Sequence, residues 1–201
     1  MMFEKYKEFI DQYVSLNSIE WQNFKSALKV HDYKKGEIIH RSGDVCTKLF
    51  FINHGLIRGY VIDTEGKEYT WNLFFNDADS VMTNVYVVDY ESFVSKSRSK
   101  ITFEVLEDCQ LISITYEKLN TFYKGSLNSE KLGRIMAEIA YSSVHNAVLD
   151  QITKTATERY EELVKKHPHY IQKIPQYHIA SYLGITPQSL SRIKKSLDYP
   201  M

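Results

Sequence analysis

Apolar residues open the chain at helical spacing: Phe3, Tyr6, Phe9 and Tyr13, then Ile19, Trp21, Phe24 and Leu28. Steps of three and four put such residues on one side of a helix, so the first stretch predicts helical structure. From Tyr33 the texture changes. Lys34-Lys35-Gly36 predicts a turn, Glu37–His40 a short strand, and Ser42-Gly43-Asp44 another turn. Lys48–Ile52 predicts a strand stopped at His54-Gly55, and Leu56–Ile62 the next strand. Asp63–Lys67 then forms a hairpin loop, with Glu68–Phe75 as its return. After a polar interval, Lys100–Leu106 and Cys109–Thr115 predict two further strands around Glu107-Asp108. Short strands separated by frequent turns indicate an antiparallel sandwich or barrel rather than a parallel sheet.

Beyond Tyr116 the strand signals stop. Leu132, Ile135, Met136, Ile139, Ala140, Val144, Ala147, Val148 and Ile152 form a long stripe at three- and four-residue steps. Something must cover a stripe of that length. Either it lies on its own domain, or it pairs with the same helix of a second chain as a coiled-coil-like seam. Pairing is favoured, because this helix joins two compositionally distinct parts, and Leu132, Ile135, Met136, Ile139, Val144, Ala147 and Val148 are its expected contacts. Thr155–Lys166 predicts a further helix ended by Pro168. The expected division is 1–125 for a β-rich domain with N-terminal helices, 126–152 for the pairing helix, and 153–201 for a C-terminal helical domain.

The 201 residues hold 43% hydrophobic and 25% charged side chains, enough for one large or two small domains with a real core. No apolar run reaches the ~18 residues a membrane span needs. The first residues lack a signal peptide's apolar segment, so the expected compartment is the cytoplasm. Two cysteines, Cys46 and Cys109, cannot build a disulfide scaffold or a four-thiolate metal site. Net charge is zero, yet residues 150–201 carry eight Lys/Arg against five Asp/Glu. Arg192, Lys194 and Lys195 cluster with no acid among them. A basic end on a neutral protein points toward nucleic acid.

The strongest local signal lies in residues 174–197. A first helix is expected from Gln176 to Tyr182, with Ile179, Ala180 and Leu183 inward and Ala180 small enough for a crossing helix. Gly184 suits a positive φ in a tight turn, and Ile185 plugs the angle between the helices. Thr186 is an N-cap and Pro187 occupies the first helical position. Leu190 and Ile193 anchor the second helix. Pro187, Gln188, Ser189, Ser191, Arg192 and Lys195 remain outward or near its start. That is the layout of a helix-turn-helix, whose second helix enters the major groove. Gln188 and Arg192 share a face and suit adenine and guanine edges. Ser189, Ser191 and Lys195 are placed for phosphates, with the N–H groups of the helix start, and Thr186 and Pro187 count among the expected DNA-binding residues.

These residues resemble the C-terminal domain of Crp/Fnr-superfamily transcription regulators, and in particular a Bacteroidetes-type branch. The resemblance rests on Ala156-Thr157-Glu158-Arg159-Tyr160, His167-Pro168, Ile179–Pro187 and Leu190-Ser191-Arg192-Ile193. Upstream, Lys35-Gly36-Glu37, Gly43-Asp44, Phe51–Arg58, Gly66-Lys67-Glu68 and Val105–Cys109 resemble the strands of that family's cyclic-nucleotide-binding domain. The resemblance implies an α+β protein with an antiparallel jelly-roll sensor, a long dimerisation helix and a winged-helix-like reading domain with little or no wing strand. It also implies double-stranded DNA, a second copy and RNA polymerase as partners, and no enzymatic activity.

The family's nucleotide cradle needs a glycine for close backbone approach, an acid for the ribose and an Arg for the phosphate. No glycine stands between Gly66 and Gly125, and Arg98 falls one residue early, which on a strand turns a side chain to the other face. Cyclic AMP is therefore not expected, and no cofactor is. Tyr86, Asp89, Tyr90, Glu91, Arg98 and Lys100 remain candidates to line a pocket for another ligand, with Tyr86, Tyr90 and Phe93 filling or lining the cavity. His167, His169 and His178 are not expected to bind metal, and no cysteine cluster for an iron–sulfur centre exists. Nor does a nucleophile elbow or phosphate-loop motif occur. Two rival readings stand beside the regulator: a small-molecule-binding module in which DNA binding is secondary, and a cupin-type jelly roll using His40 and His54.

Overall fold

The structure, a computed structural model, describes residues 3–197. Helices α1 (Glu4–Asp11) and α2 (Ser18–Ala27) lead into strands β1 (Lys29–Tyr33), β2 (Ile38–His40), β3 (Lys48–Ile62) and β4 (Glu68–Phe74). Short α3 (Met82–Val85), β5 (Tyr86–Val87) and α4 (Tyr90–Ser95) precede β6 (Thr102–Thr115). The rest is helical: α5 (Tyr116–Tyr123), α6 (Leu127–Thr153), α7 (Ala156–Lys166), α8 (Pro168–Ile171), α9 (Gln176–Leu183) and α10 (Pro187–Ser196). Among the described residues, no helix is long and apolar enough to cross a membrane.

The strands form an antiparallel sheet in the order β1-β6-β3-β4, with β2 also on β6 and β5 also on β3. It departs from the expected strands in three places. His54-Gly55 does not end a strand, because Lys48–Ile62 is continuous, and Glu107-Asp108 likewise lies inside a continuous β6. The two sites face each other, and the register slips between Ile52 and Ile57. Gly55 sits at φ +109, where a Cβ would lie 2.2 Å from the Cys109 Cβ. A bulge that tight needs a residue without a side chain, so the glycine bends the strand rather than stopping it. Secondly, extended structure begins at Lys29 rather than Tyr33, because β1 pairs with Cys109–Ser113. Thirdly, the polar interval is not irregular throughout: it folds the short helices α3 and α4.

The bulge organises the packing. Phe50, Ile52, Ile57, Phe74, Phe103, Val105 and Leu111 share one apolar cluster on one face of the strands. Their alternating neighbours face the other way. On the Lys48–Ile52 side of the bulge, Leu49, Phe51, Ile112 and Ile114 pack with Tyr6, Phe24 and Phe122 from the helices. On the other side, Leu56, Leu73, Phe75 and Leu106 pack with the C-terminal helices. Both faces are thus covered, which explains the almost unbroken apolar texture of Leu49–Ile52 and Leu56–Ile57. Gly55→Ala should lower stability by roughly 3 kcal/mol through overpacking and backbone strain. Gly66→Ala, also at positive φ but with nothing within 4 Å, should lose about 1 kcal/mol. Urea unfolding of the two variants measures the difference.

Of the helix expectations, the end of α7 before Pro168 is found as expected, and the α6 stripe is revised. Pro168 follows the end of α7 and opens α8 at its first position, where the missing N–H costs nothing. The stripe on α6 is divided. Leu132 and Met136 are buried in the chain's own core with Ile135 against it, whereas Val144, Ala147 and Val148 are exposed.

Candidate nucleic-acid interface

The C-terminal helices are shaped by local signals. Thr155 caps α7 by accepting the Glu158 N–H, and Glu158 accepts the Thr155 N–H in return. Gly184 closes α9 at φ +71, with its N–H donating to Ser181 O and the Ile185 N–H donating to Ala180 O. This left-handed closure turns the chain sharply into α10. Thr186 caps α10 by accepting the Ser189 N–H at 3.1 Å, with Pro187 at the first helical position. From α7, the Arg159 guanidinium donates to Leu183 O at 2.8 Å and braces the turn.

Burial then sorts the faces. Leu190 is 0% exposed and packs with Ile179, Ala180 and Leu183, while Ile185 and Ile193 sit half-buried against the same cluster. Thr186, Pro187, Gln188, Arg192 and Lys195 are exposed, and Ser189 and Ser191 are half-buried. Gln188 and Arg192 lie one turn apart on the same solvent face. No acid occurs in α10, and Lys194 and Lys195 occupy its last turn. The result is a capped helix with a positive N-terminal end and donor-rich side chains facing outward.

This two-helix unit is not free of the sheet. Arg58, nearly fully buried on β3, donates through Nε and Nη2 to Glu104 at 2.7 and 2.6 Å, and through Nη2 to Glu68 at 2.7 Å. Its Nη1 donates to His178 Nδ1 on α9 at 2.8 Å. The Thr70 N–H donates to the Ser181 hydroxyl, which donates onward to Glu68 O. Phe75 stacks on Tyr170 at 4.6 Å, and Asp77 pairs with His167 at 3.0 Å. Sequence reasoning passed over this junction. One signal was available: an arginine inside the apolar run Leu56–Ile62 must find charged partners if buried.

A bond from an arginine requires an unprotonated Nδ1, so His178 is neutral here. Burial, then the Arg58 charge, lowers its pKa from 6.5 to about 4. Glu68 and Glu104 face it only through Arg58, and the Tyr177 ring lies against it. Because the folded state disfavours the proton, this contribution is complete above pH 6.5 and is lost as pH falls toward 4. The urea midpoint of the protein should drop over that window more steeply than that of His178→Gln, which has no imidazole to charge.

The pocket candidates do not converge. Tyr86 packs edge-on against Tyr6 and Phe9 of α1. Asp89 is buried, accepts the Ser99 hydroxyl at 2.7 Å and caps α4 through the Ser92 N–H. Glu91 is exposed and accepts from Ser95 and Ser97, Arg98 is exposed and donates to Gly43 O, and Lys100 points to solvent. Phe93 does fill the core, but Tyr90 is 56% exposed and lines no interior cavity. His167, His169 and His178 are held apart: the first on Asp77, the second in solvent, the third on Arg58. Among the described residues no group of three or more His, Cys, Asp or Glu is placed to hold a metal.

The antiparallel sheet and α5 end where the long helix α6 begins, and that span has a counterpart among known proteins. Residues 30–126 match the cyclic nucleotide-binding domain. The match to that domain runs from β1 to the N-cap of α6 and leaves α1, α2 and α6–α10 outside it. No curated protein sequence matches the chain. Solved structures resemble it over most of its length. A protein from Eubacterium rectale, described as a transcriptional regulator of the Crp/Fnr family, is 22% identical over 91% of this chain and 84% of its own, with a TM-score of 0.66. FixK2 from Bradyrhizobium japonicum is 15% identical over 85% and 84%, with a TM-score of 0.67. The c-di-GMP-responsive global regulator CLP from Xanthomonas campestris is 16% identical over 90% and 92%, with a TM-score of 0.63. The chain therefore combines a cyclic nucleotide-binding-type domain with a fold shared by Crp/Fnr-type structures.

Proposed function

We propose that this chain is a DNA-binding transcription regulator that acts as a homodimer on a pseudo-palindromic site. In this reading α9 and α10 form a helix-turn-helix, and α10 reads the major groove. The observation that carries it is the sorting of α10: Leu190 is fully buried while Gln188 and Arg192 stand exposed behind a Thr186-capped N-terminus. Gln188 pairs with adenine and Arg192 with guanine; Ser189, Ser191, Lys195 and the helix-start N–H groups hold phosphates. RNA polymerase is the further partner through which such a dimer would act.

The exposed half of α6 supplies the pairing surface. Tyr141, Val144, Val148 and Ile152 step along it by three or four residues and are each about half exposed or more, the spacing of a self-complementary seam. Residues 126–152 then set the separation of the two readers. The β-domain acts as a sensor that has changed its ligand or lost it. Asp89 is committed to Ser99 and Ser92, and no glycine-bearing phosphate cradle is present, so neither cyclic nucleotide binding in the usual manner nor a ligand-binding module as the primary role is favoured. Selection of genomic fragments by the purified protein tests the function. Enrichment of a pseudo-palindrome with half-sites about one DNA turn (~34 Å) apart is expected. Recovery of fragments with no shared motif would contradict it.

A further inference from the structure

We propose that Arg58 and His178 are positioning residues: they clamp α9 onto the β-domain and thereby set the direction in which α10 is presented. The inference rests on the reading of α10 as the DNA reader. Three observations converge on it. Arg58 is the buried centre of a cluster drawn from three strands and one C-terminal helix: Arg58 itself on β3, Glu68 on β4, Glu104 on β6 and His178 on α9. With both carboxylates on its Nε and Nη2 edge, the guanidinium's Nη1 is left for His178, and the Tyr60 ring lies 4.0 Å from its centre. The planar fork therefore fixes the helix in direction as well as distance.

The neighbouring Ser181 adds a second tie one turn along α9, taking the Thr70 N–H and donating to Glu68 O. His178 and Ser181 are three residues apart and so share the helix face turned to the sheet. Two polar ties on one short helix resist both sliding and rotation. Beneath them, Leu56, Leu73, Phe75 and Leu106 share one apolar cluster with Ile179, Leu183 and Leu190. Apolar packing of this kind is tolerant of small displacements, whereas directional hydrogen bonds are not. The apolar cluster holds the unit to the sheet; the polar ties choose its orientation. Gly184 and Arg159 then transmit that orientation to α10 through a rigid turn.

The test uses the full chain with three substitutions. His178→Leu removes the acceptor, His178→Gln restores one through its amide oxygen, and Ser181→Ala removes the second tie without touching the charged cluster. The Thr70 amide reports the junction by hydrogen exchange, and amides of β6 such as Leu111 report the fold. Affinity for the selected duplex reports presentation of α10. His178→Leu should speed Thr70 exchange about tenfold, the scale of one lost hydrogen bond to a charged group, and weaken duplex binding severalfold, with β6 exchange unchanged. His178→Gln should restore both, and Ser181→Ala should reproduce the Thr70 effect even if His178→Leu disturbs the fold. Faster Thr70 exchange with unaltered duplex affinity would overturn the positioning role, as would wild-type behaviour of both His178→Leu and Ser181→Ala. Absence of any duplex binding by the unmodified protein would instead sink the regulator reading, and the exchange measurements tell the two failures apart.

Discussion

Val148→Asp should abolish the proposed pairing through α6 and reduce affinity for the selected duplex roughly 10²- to 10⁴-fold, the range over which tethering a second reader raises binding. Val148 is 49% exposed in the single chain and sits in the uncovered half of α6 between Val144 and Ile152. A carboxylate there costs the isolated chain little, because a half-exposed site leaves it in contact with water. In a paired seam it would meet apolar side chains or its own symmetry mate, and a desolvated unpaired charge is costly. Sedimentation equilibrium reports the association and urea unfolding of the dilute monomer reports the fold. A dimeric Val148→Asp would mean that another surface pairs the chains. Leu132→Ala is the contrasting change: it is buried in the chain's own core and should destabilise the protein by about 2–5 kcal/mol.

Arg192→Ala should cost about 1–3 kcal/mol at each half-site and relax selection at one base pair there. Its side chain is exposed on the same face as Gln188, with no acid on α10 to hold it. Lys195→Ala makes the discriminating comparison. A phosphate contact carries no sequence information, so affinity should fall alike on matched and mismatched duplexes and the salt dependence should become shallower. Competition binding at several salt concentrations separates the two behaviours. Equal losses on all sequences from Arg192→Ala would reassign it to the backbone.

What was legible in the sequence was what local chemistry decides. The Thr186-Pro187 start of α10 and the Gly184 turn each act within a few residues, and each is found where its residues stand. The antiparallel strands were legible too, except where distant chain decides. Gly55 looks like a strand end until Cys109 is known to lie against it. The division of the α6 stripe was hidden for the same reason: Leu132 and Val148 are equally apolar, and it is the packing of α3 and α5 on the first half of α6 that distinguishes a core contact from an exposed one. Likewise, the buried bond from Arg58 to His178 spans 120 positions and leaves no mark at either end beyond a misplaced charge.

Site-specific photo-cross-linking from position 188 on the selected duplex tests the central claim most directly. Cross-links to major-groove base atoms in both half-sites, about one helical turn apart, are predicted. Cross-links confined to another face of the protein, with position 188 silent on a bound duplex, would contradict the account.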